Sequence, residues 1–207
     1  VESRGLGDVY KRQSLGFFCS VALETERMGL RDSSMPFDWL ISSWEGVEKL
    51  ILNSFEGFLD DKLLKQSKEF PERYKNIKYD IWFFHDFNAY ASLESQMEKV
   101  VNKYQRRIER FYQNIEESSL FIRYIRDEEE LRYLEKNIDR IEGIFRRYNP
   151  ENHIIFIANN EITSDIIEIY NVEKDNDDSV ARKPFDKNNK LYDYLLSVFD
   201  ENSREKN

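Results

Sequence analysis

The chain has 207 residues, with 31 Lys and Arg against 40 Asp and Glu, for a formal net charge of -9 at pH 7. A hydrophobic share of 40%, with aromatic residues making up 14% of the chain, supplies a real core for one domain, which excludes a disordered chain. No run reaches the roughly 20 apolar residues of a membrane-spanning helix, and the acidic balance disfavours nucleic-acid backbones. The single cysteine, Cys19, excludes an internal disulfide framework and a multi-cysteine zinc site and fits a reducing, cytoplasmic compartment.

Residues 1–13 read VESRGLGDVYKRQ. The stretch Asp8 to Gln13 matches a translation of the transposon-end adapter used in sequencing libraries, so it is set aside as an assembly scar or a disordered tail. An apolar strand is expected in its place ahead of Ser14, which leaves a lost leader open. The domain is then expected over 14–199, with a charged tail at 200–207.

From Cys19 to Arg27 good helix formers predict a short helix, with Gly29 as its left-handed stop. Pro36 holds Met35 out of helix, so Phe37, Asp38 and Trp39 fall in a loop or helix entry. Val47, Leu50, Ile51, Phe55, Phe58 and Leu59 repeat at helical spacing, and a polar region from Asp60 to Lys78 follows. Tyr79 to Phe84 (YDIWFF) reads as a buried strand that empties at His85-Asp86.

A long amphipathic helix is predicted from Leu93 to about Glu117, then a strand at Leu120–Ile122 ending at Arg123. Asp127 with Glu130 resembles a capping box that opens a helix on Leu131, Leu134, Ile138, Ile141 and Phe145, stopped at Asn149-Pro150. His153–Ala158 and Asp165–Val172 read as strands, and a last helix rests on Leu191, Tyr194, Leu195, Val198 and Phe199. Strands alternating with helices predict an α/β fold: one three-layer domain with a mostly parallel central sheet flanked by helices. The strands at Tyr79, Leu120 and His153 are expected side by side. Cys19, His85, Arg123 and Asn159 would then lie just past strand C-terminal ends, where open parallel sheets bind ligands.

Cys19, in the first turn of a helix, sits where free amides and the dipole favour a thiolate; the alternative is a small buried hydrophobe. His85 is the nearest candidate base, and Asp86, Asp38, Asn88 and Asn159 compete to orient it. His153, at the start of its strand, is structural. Arg123, and with it Asn159, would contact substrate, the guanidinium through a carboxylate or phosphate. Arg106, Arg107 and Arg110 read as a solvated helix face. No phosphate cradle, metal site or cofactor motif is present.

The Ser14-Leu15-Gly16 and Cys19 pieces, Gly29-Leu30-Arg31 with Pro36-Phe37-Asp38-Trp39, Phe84-His85-Asp86-Phe87, Arg106 to Phe111 and Phe121-Ile122-Arg123 together resemble a bacterial domain family of unknown function described as papain-like cysteine peptidases. The resemblance implies a cysteine nucleophile at Cys19 and a histidine base at His85; the substrate, whether small-molecule, glycan-like or peptide, is left open. The residues themselves leave a second reading open: a non-catalytic or transferase-like domain that binds an anionic sugar or nucleotide-like ligand.

Overall fold

Two sheets organise the chain, where one was expected. The computed structural model describes residues 11–176 and 180–204. The first sheet is parallel throughout and contains β1 (Lys11–Ser14), β6 (Ser119–Tyr124), β7 (His153–Asn159) and β8 (Ile169–Val172), in that spatial order. The second is antiparallel and contains β2 (Leu40–Ser42), β5 (Ile81–Phe83), β4 (Tyr74–Asn76) and β3 (Leu64–Gln66), again in that order. Five helices complete the fold: α1 (Ser20–Arg27), α2 (Trp44–Leu52), α3 (Leu93–Ile115), α4 (Glu128–Arg146) and α5 (Asn189–Arg204).

The parallel sheet is buried on both faces because successive residues alternate sides. Phe121, Ile154, Phe156 and Ala158 belong to one apolar cluster with Phe111 of α3, Leu134 and Phe145 of α4, and Ile81 and Phe83 of β5. Leu120, Ile122, Tyr124, Ile155 and Ile157 belong to a second cluster with Val21 of α1 and Leu191 and Leu195 of α5.

The YDIWFF run is the main correction to the expected sheet. Ile81 and Phe83 are fully buried while Trp82 between them is only half-buried, and β5 pairs antiparallel with β2 and β4. That period-two alternation marks a half-buried antiparallel strand, but the flanking aromatics disguised it as a continuous apolar run. Strand β5 therefore does not lie beside β6 and β7. Helix α2 is also shorter than predicted: Ser54 and Phe55 take positive φ angles of 57° and 60°, so Phe55 and Phe58 reach the core from turns. The polar stretch after it holds β3 and β4, three residues each.

Helix boundaries follow their caps. Helix α1 ends in a Schellman motif at Gly29 (φ +66°), where the Gly29 N–H donates to the Glu26 carbonyl and the Leu30 N–H to that of Thr25. Asp127 caps α4 by accepting from the Glu130 N–H at 2.9 Å. The Glu130 carboxylate does not close the reciprocal half of a capping box; it turns inward to Arg123 and the Trp44 N–H. Helix α5 continues through Arg204, past the expected boundary at Phe199. Val198 and Phe199 fall outside the described side chains.

Lys11–Ser14, most of which the sequence set apart from the domain, occupies the β1 slot, with Arg12 opposite Leu120 and Gln13 opposite Phe121. Residues 1–10 lie outside the described residues.

Candidate active site

Three segments meet at one end of β2. The antiparallel register sets Leu40 opposite Phe83, which brings Trp39, just before β2, beside His85, just after β5. Their rings meet edge-on, with centroids 6.5 Å apart. Helix α3 supplies the third wall, and Trp39, His85, Asp86, Lys103 and Arg107 enclose an open cleft of about 320 Å³. Behind it, Asp38 is buried and accepts hydrogen bonds from Arg31 Nη1 and, at 2.8 Å, from the Met35 N–H. Burial pushes the Asp38 carboxyl up to about 6, against the opposing pull of Arg31. The Arg31 guanidinium carbon lies 5.4 Å from the Trp39 ring centroid, and Arg110 Nη2 donates to the Ser34 carbonyl at 2.7 Å.

Among the described residues neither carboxylate hydrogen-bonds His85. Asp86 accepts from Lys103 Nζ and, at 2.9 Å, from the Tyr104 hydroxyl, while Asp38 is held by Arg31. Asn88 uses its side-chain oxygen on the Tyr90 N–H. His85 itself is exposed.

Cys19 is the N-cap residue of α1, half-buried, with no side-chain cap bond. Burial pushes its thiol above the ordinary value, and its own backbone N–H opposes that only in part. The direction is opposite to the lowered thiol expected from the helix start, and its cause is desolvation where Cys19 packs with Phe17, Phe18 and Val21. Two residues ahead of Cys19, the Phe17 carbonyl accepts from the Ser42 N–H at 2.8 Å. That contact lies at one end of β2 and the Trp39–His85 contact at the other, three residues and about 10 Å along an extended strand. Among the described residues, no hydrogen bond joins Cys19 to His85.

Arg123 and Asn159, expected to bind substrate, do other work. Arg123 lies inside β6 rather than past it, fully buried. All five of its N–H donors are used: Nε and Nη2 on the Glu130 carboxylate, Nη1 on the Leu15 carbonyl and Ser42 Oγ, and Nη2 again on the Ser42 carbonyl. This is a latch between the two sheets, with no donor left for a ligand. Gly16 borders it; a Cβ there would stand 2.4 Å from Ser42 Oγ and 3.0 Å from Arg123 Nη1, at a φ of +83°. Asn159 Oδ1 accepts from the Tyr124 hydroxyl at 2.5 Å, and Asn159 lines a separate cleft with Glu161, Glu173 and Asp175. His153 starts β7, as expected. Among the described residues no group of His, Cys, Asp or Glu gathers as metal ligands, and no helix is long and apolar enough to cross a membrane.

Residues 11–161 match the family described as "Putative papain-like cysteine peptidase (DUF1796)". The chain belongs to this family. The matched span runs from β1 through β7, so it contains Cys19 and every wall of the Trp39–His85 cleft. Uncharacterized protein R408 of Acanthamoeba polyphaga mimivirus is 30% identical over 172 residues, covering 70% of this chain and 76% of its own length. That relative is viral, so the bacterial origin expected from sequence gains no support. No solved structure gives a significant match.

Within the family span, the separate sequence blocks that carried the resemblance converge in space: Arg31 with Asp38 and Trp39, His85 with Asp86, and Arg107 with Arg110. The sequence reading assigned Arg107 to a solvated face and gave Lys103 no role. A signal was present. Arg107 stands three residues after Tyr104 and four before Phe111, both buried, which puts it on the flank of the buried stripe rather than opposite to it.

Proposed function

We propose that the protein is a cysteine-dependent hydrolase or acyltransferase in which Cys19 is the nucleophile and His85 the base. The observation that carries this is the seat of Cys19: it caps α1 without a side-chain cap bond. First-turn amides of a helix have no intrahelical acceptor, which supports a role for those of Ser20, Val21 and Ala22 in stabilising a thiolate or an oxyanion. The family description points the same way.

The raised thiol implies a general-base route rather than a preformed thiolate. His85 takes the Cys19 proton as sulfur bonds to the acyl carbon; the imidazolium then protonates the leaving group as its bond to carbon breaks. Water, losing a proton to His85, attacks the thioester, and the proton returns to the departing Cys19 sulfur. The two side chains, which share no hydrogen bond at rest, must come together when substrate binds.

With one cysteine in the chain, intact-mass analysis after mixing with an aryl thioester tests the reading directly. One acyl group per chain is expected, absent in Cys19→Ser and formed at least about 100-fold more slowly in His85→Ala. Turnover retained by Cys19→Ser overturns it. A non-catalytic domain for an anionic sugar or nucleotide-like ligand is the second reading, favoured by Asp86 and Asp38 being committed to Lys103 and Arg31 instead of His85.

A further inference from the structure

Arg107 is a cation that the fold leaves without a direct ion pair at the Trp39–His85 cleft. Among the described residues it makes no hydrogen bond and no ion pair within 4 Å; its guanidinium carbon lies 5.1 Å from the Tyr104 ring centroid. Nη1 is buried without a partner, whereas Nε and Nη2, also unbonded, are not among the buried atoms and so are open to solvent at the cleft. The neighbouring charges make their direct ion pairs elsewhere, although the Asp38 carboxylate feels the Arg107 charge from within Coulomb range. Lys103 is paired with Asp86, and Asp38 with Arg31. The lining therefore carries one surplus positive charge in a protein whose net charge is -9. A guanidinium that is partly desolvated and lacks a carboxylate is an unfilled site for one, since a fork of N–H donors matches two oxygens of an oxyanion. The half-buried Trp39 ring and the His85 ring, edge to face beside it, offer flat apolar surface to whatever carries that oxyanion.

We propose that this cleft binds an oxyanion-bearing ligand, its carboxylate or phosphate held by Arg107 and its flat or apolar body lying against Trp39 and His85. The proposal rests on the reading of His85 as the base, since the cleft that His85 lines would then hold the substrate, and it deepens that reading by giving the substrate class as anionic. It asks nothing of Cys19, so the two fail separately.

The chain has two histidines, so the ring-proton NMR signals of His85 are read with those of His153, at the start of β7, as an internal control. Wild-type protein is titrated with phenyl phosphate, benzoate, inorganic phosphate and neutral benzyl alcohol at constant ionic strength. His85 is expected to shift saturably with phenyl phosphate or benzoate, at least tenfold more tightly than with benzyl alcohol, and His153 to stay fixed. A response to phenyl phosphate and inorganic phosphate but not to benzoate assigns the group as phosphate, and the converse assigns carboxylate. Arg107→Gln is expected to weaken binding at least tenfold, and Cys19→Ser to leave it unchanged. Should Arg107→Gln not fold, the Arg107 Nε–Hε signal of the wild type replaces it: it must shift in step with His85. Equal response to the neutral alcohol, no saturation, or unchanged affinity in Arg107→Gln overturns the proposal. Loss of thioester turnover in Cys19→Ser with the titration intact supports both readings, whereas an intact titration without any turnover removes only the hydrolase.

Discussion

Arg123 and Glu130 face each other across the exit of β6, joined by two hydrogen bonds of 2.8 and 2.7 Å with both side chains almost wholly out of water. Removing one member of such a pair strands the other charge in a medium that cannot solvate it. Arg123→Met is therefore expected to cost ~3–5 kcal/mol in urea denaturation, and Arg123→Met with Glu130→Gln much less. If Arg123 served a ligand instead, the single variant would keep its stability and lose only binding.

The latch also shows what the sequence conceals. Helices α1, α3, α4 and α5 and strands β6 and β7 were legible from apolar spacing, with Asp127 capping α4 and Gly29 stopping α1; β8 keeps only Ile169–Val172 of the strand read over Asp165–Val172. Strands β3 and β4 read LKQ and YKN, too short and too polar to give a period. Arg123 read as a strand-end ligand group because the chain does not announce that Ser42, 81 positions away, will close over it. Cys19, Asp38, Trp39, His85 and Asp86 were all noticed, but their pairing was not readable. That Asp86 meets Lys103 depends on where α3 packs, a tertiary fact with no local signature, and that Arg31 meets Asp38 depends on how the chain between them turns.

Asp38 sets a pH dependence. Its folded carboxyl is raised to about 6 from an unfolded value near 4, so the folded state binds its proton more tightly. The stability this gives is fully present below pH 4 and is lost as pH rises through about 6, to a limit of ~3 kcal/mol. Asp38→Asn mimics the protonated form and cannot titrate. Across pH 4 to 7 the difference in melting temperature is expected to move steadily in favour of Asp38→Asn. Parallel curves for the two proteins would show that Asp38 is ionised at no net cost.

Gln13 occupies a place better suited to an apolar side chain. It is 1% exposed, opposite Phe121 in the parallel ladder, and neither its amide oxygen nor its nitrogen has a partner. Two unmet polar atoms in such a slot cost ~1–3 kcal/mol each, and the expectation of an apolar strand ahead of Ser14 fits that burial. Gln13→Val is expected to raise the melting temperature, by roughly 2–4 °C per kcal/mol gained. A fall on calorimetry would mean that the amide is satisfied in solution.

The Cys19 thiol tests how the site rests before substrate arrives. Burial raises it above its ordinary value, and an ordinary thiol near 8.5 is about 3% ionised at pH 7, so the native thiol should hold still less thiolate. Iodoacetamide labelling from pH 5 to 10 is expected to give a midpoint above 8.5 in the native protein and near 8.5 in urea, where the Phe17–Phe18–Val21 surroundings are gone. Because no hydrogen bond links the two side chains, His85→Ala should leave the native midpoint where it is while still slowing acylation by the thioester. That split separates a base recruited during turnover from an ion pair present at rest. A native midpoint well below 8, moved upward by His85→Ala, would place the thiolate and imidazolium together in the free protein and show that the dipole of α1 and His85 outweigh desolvation.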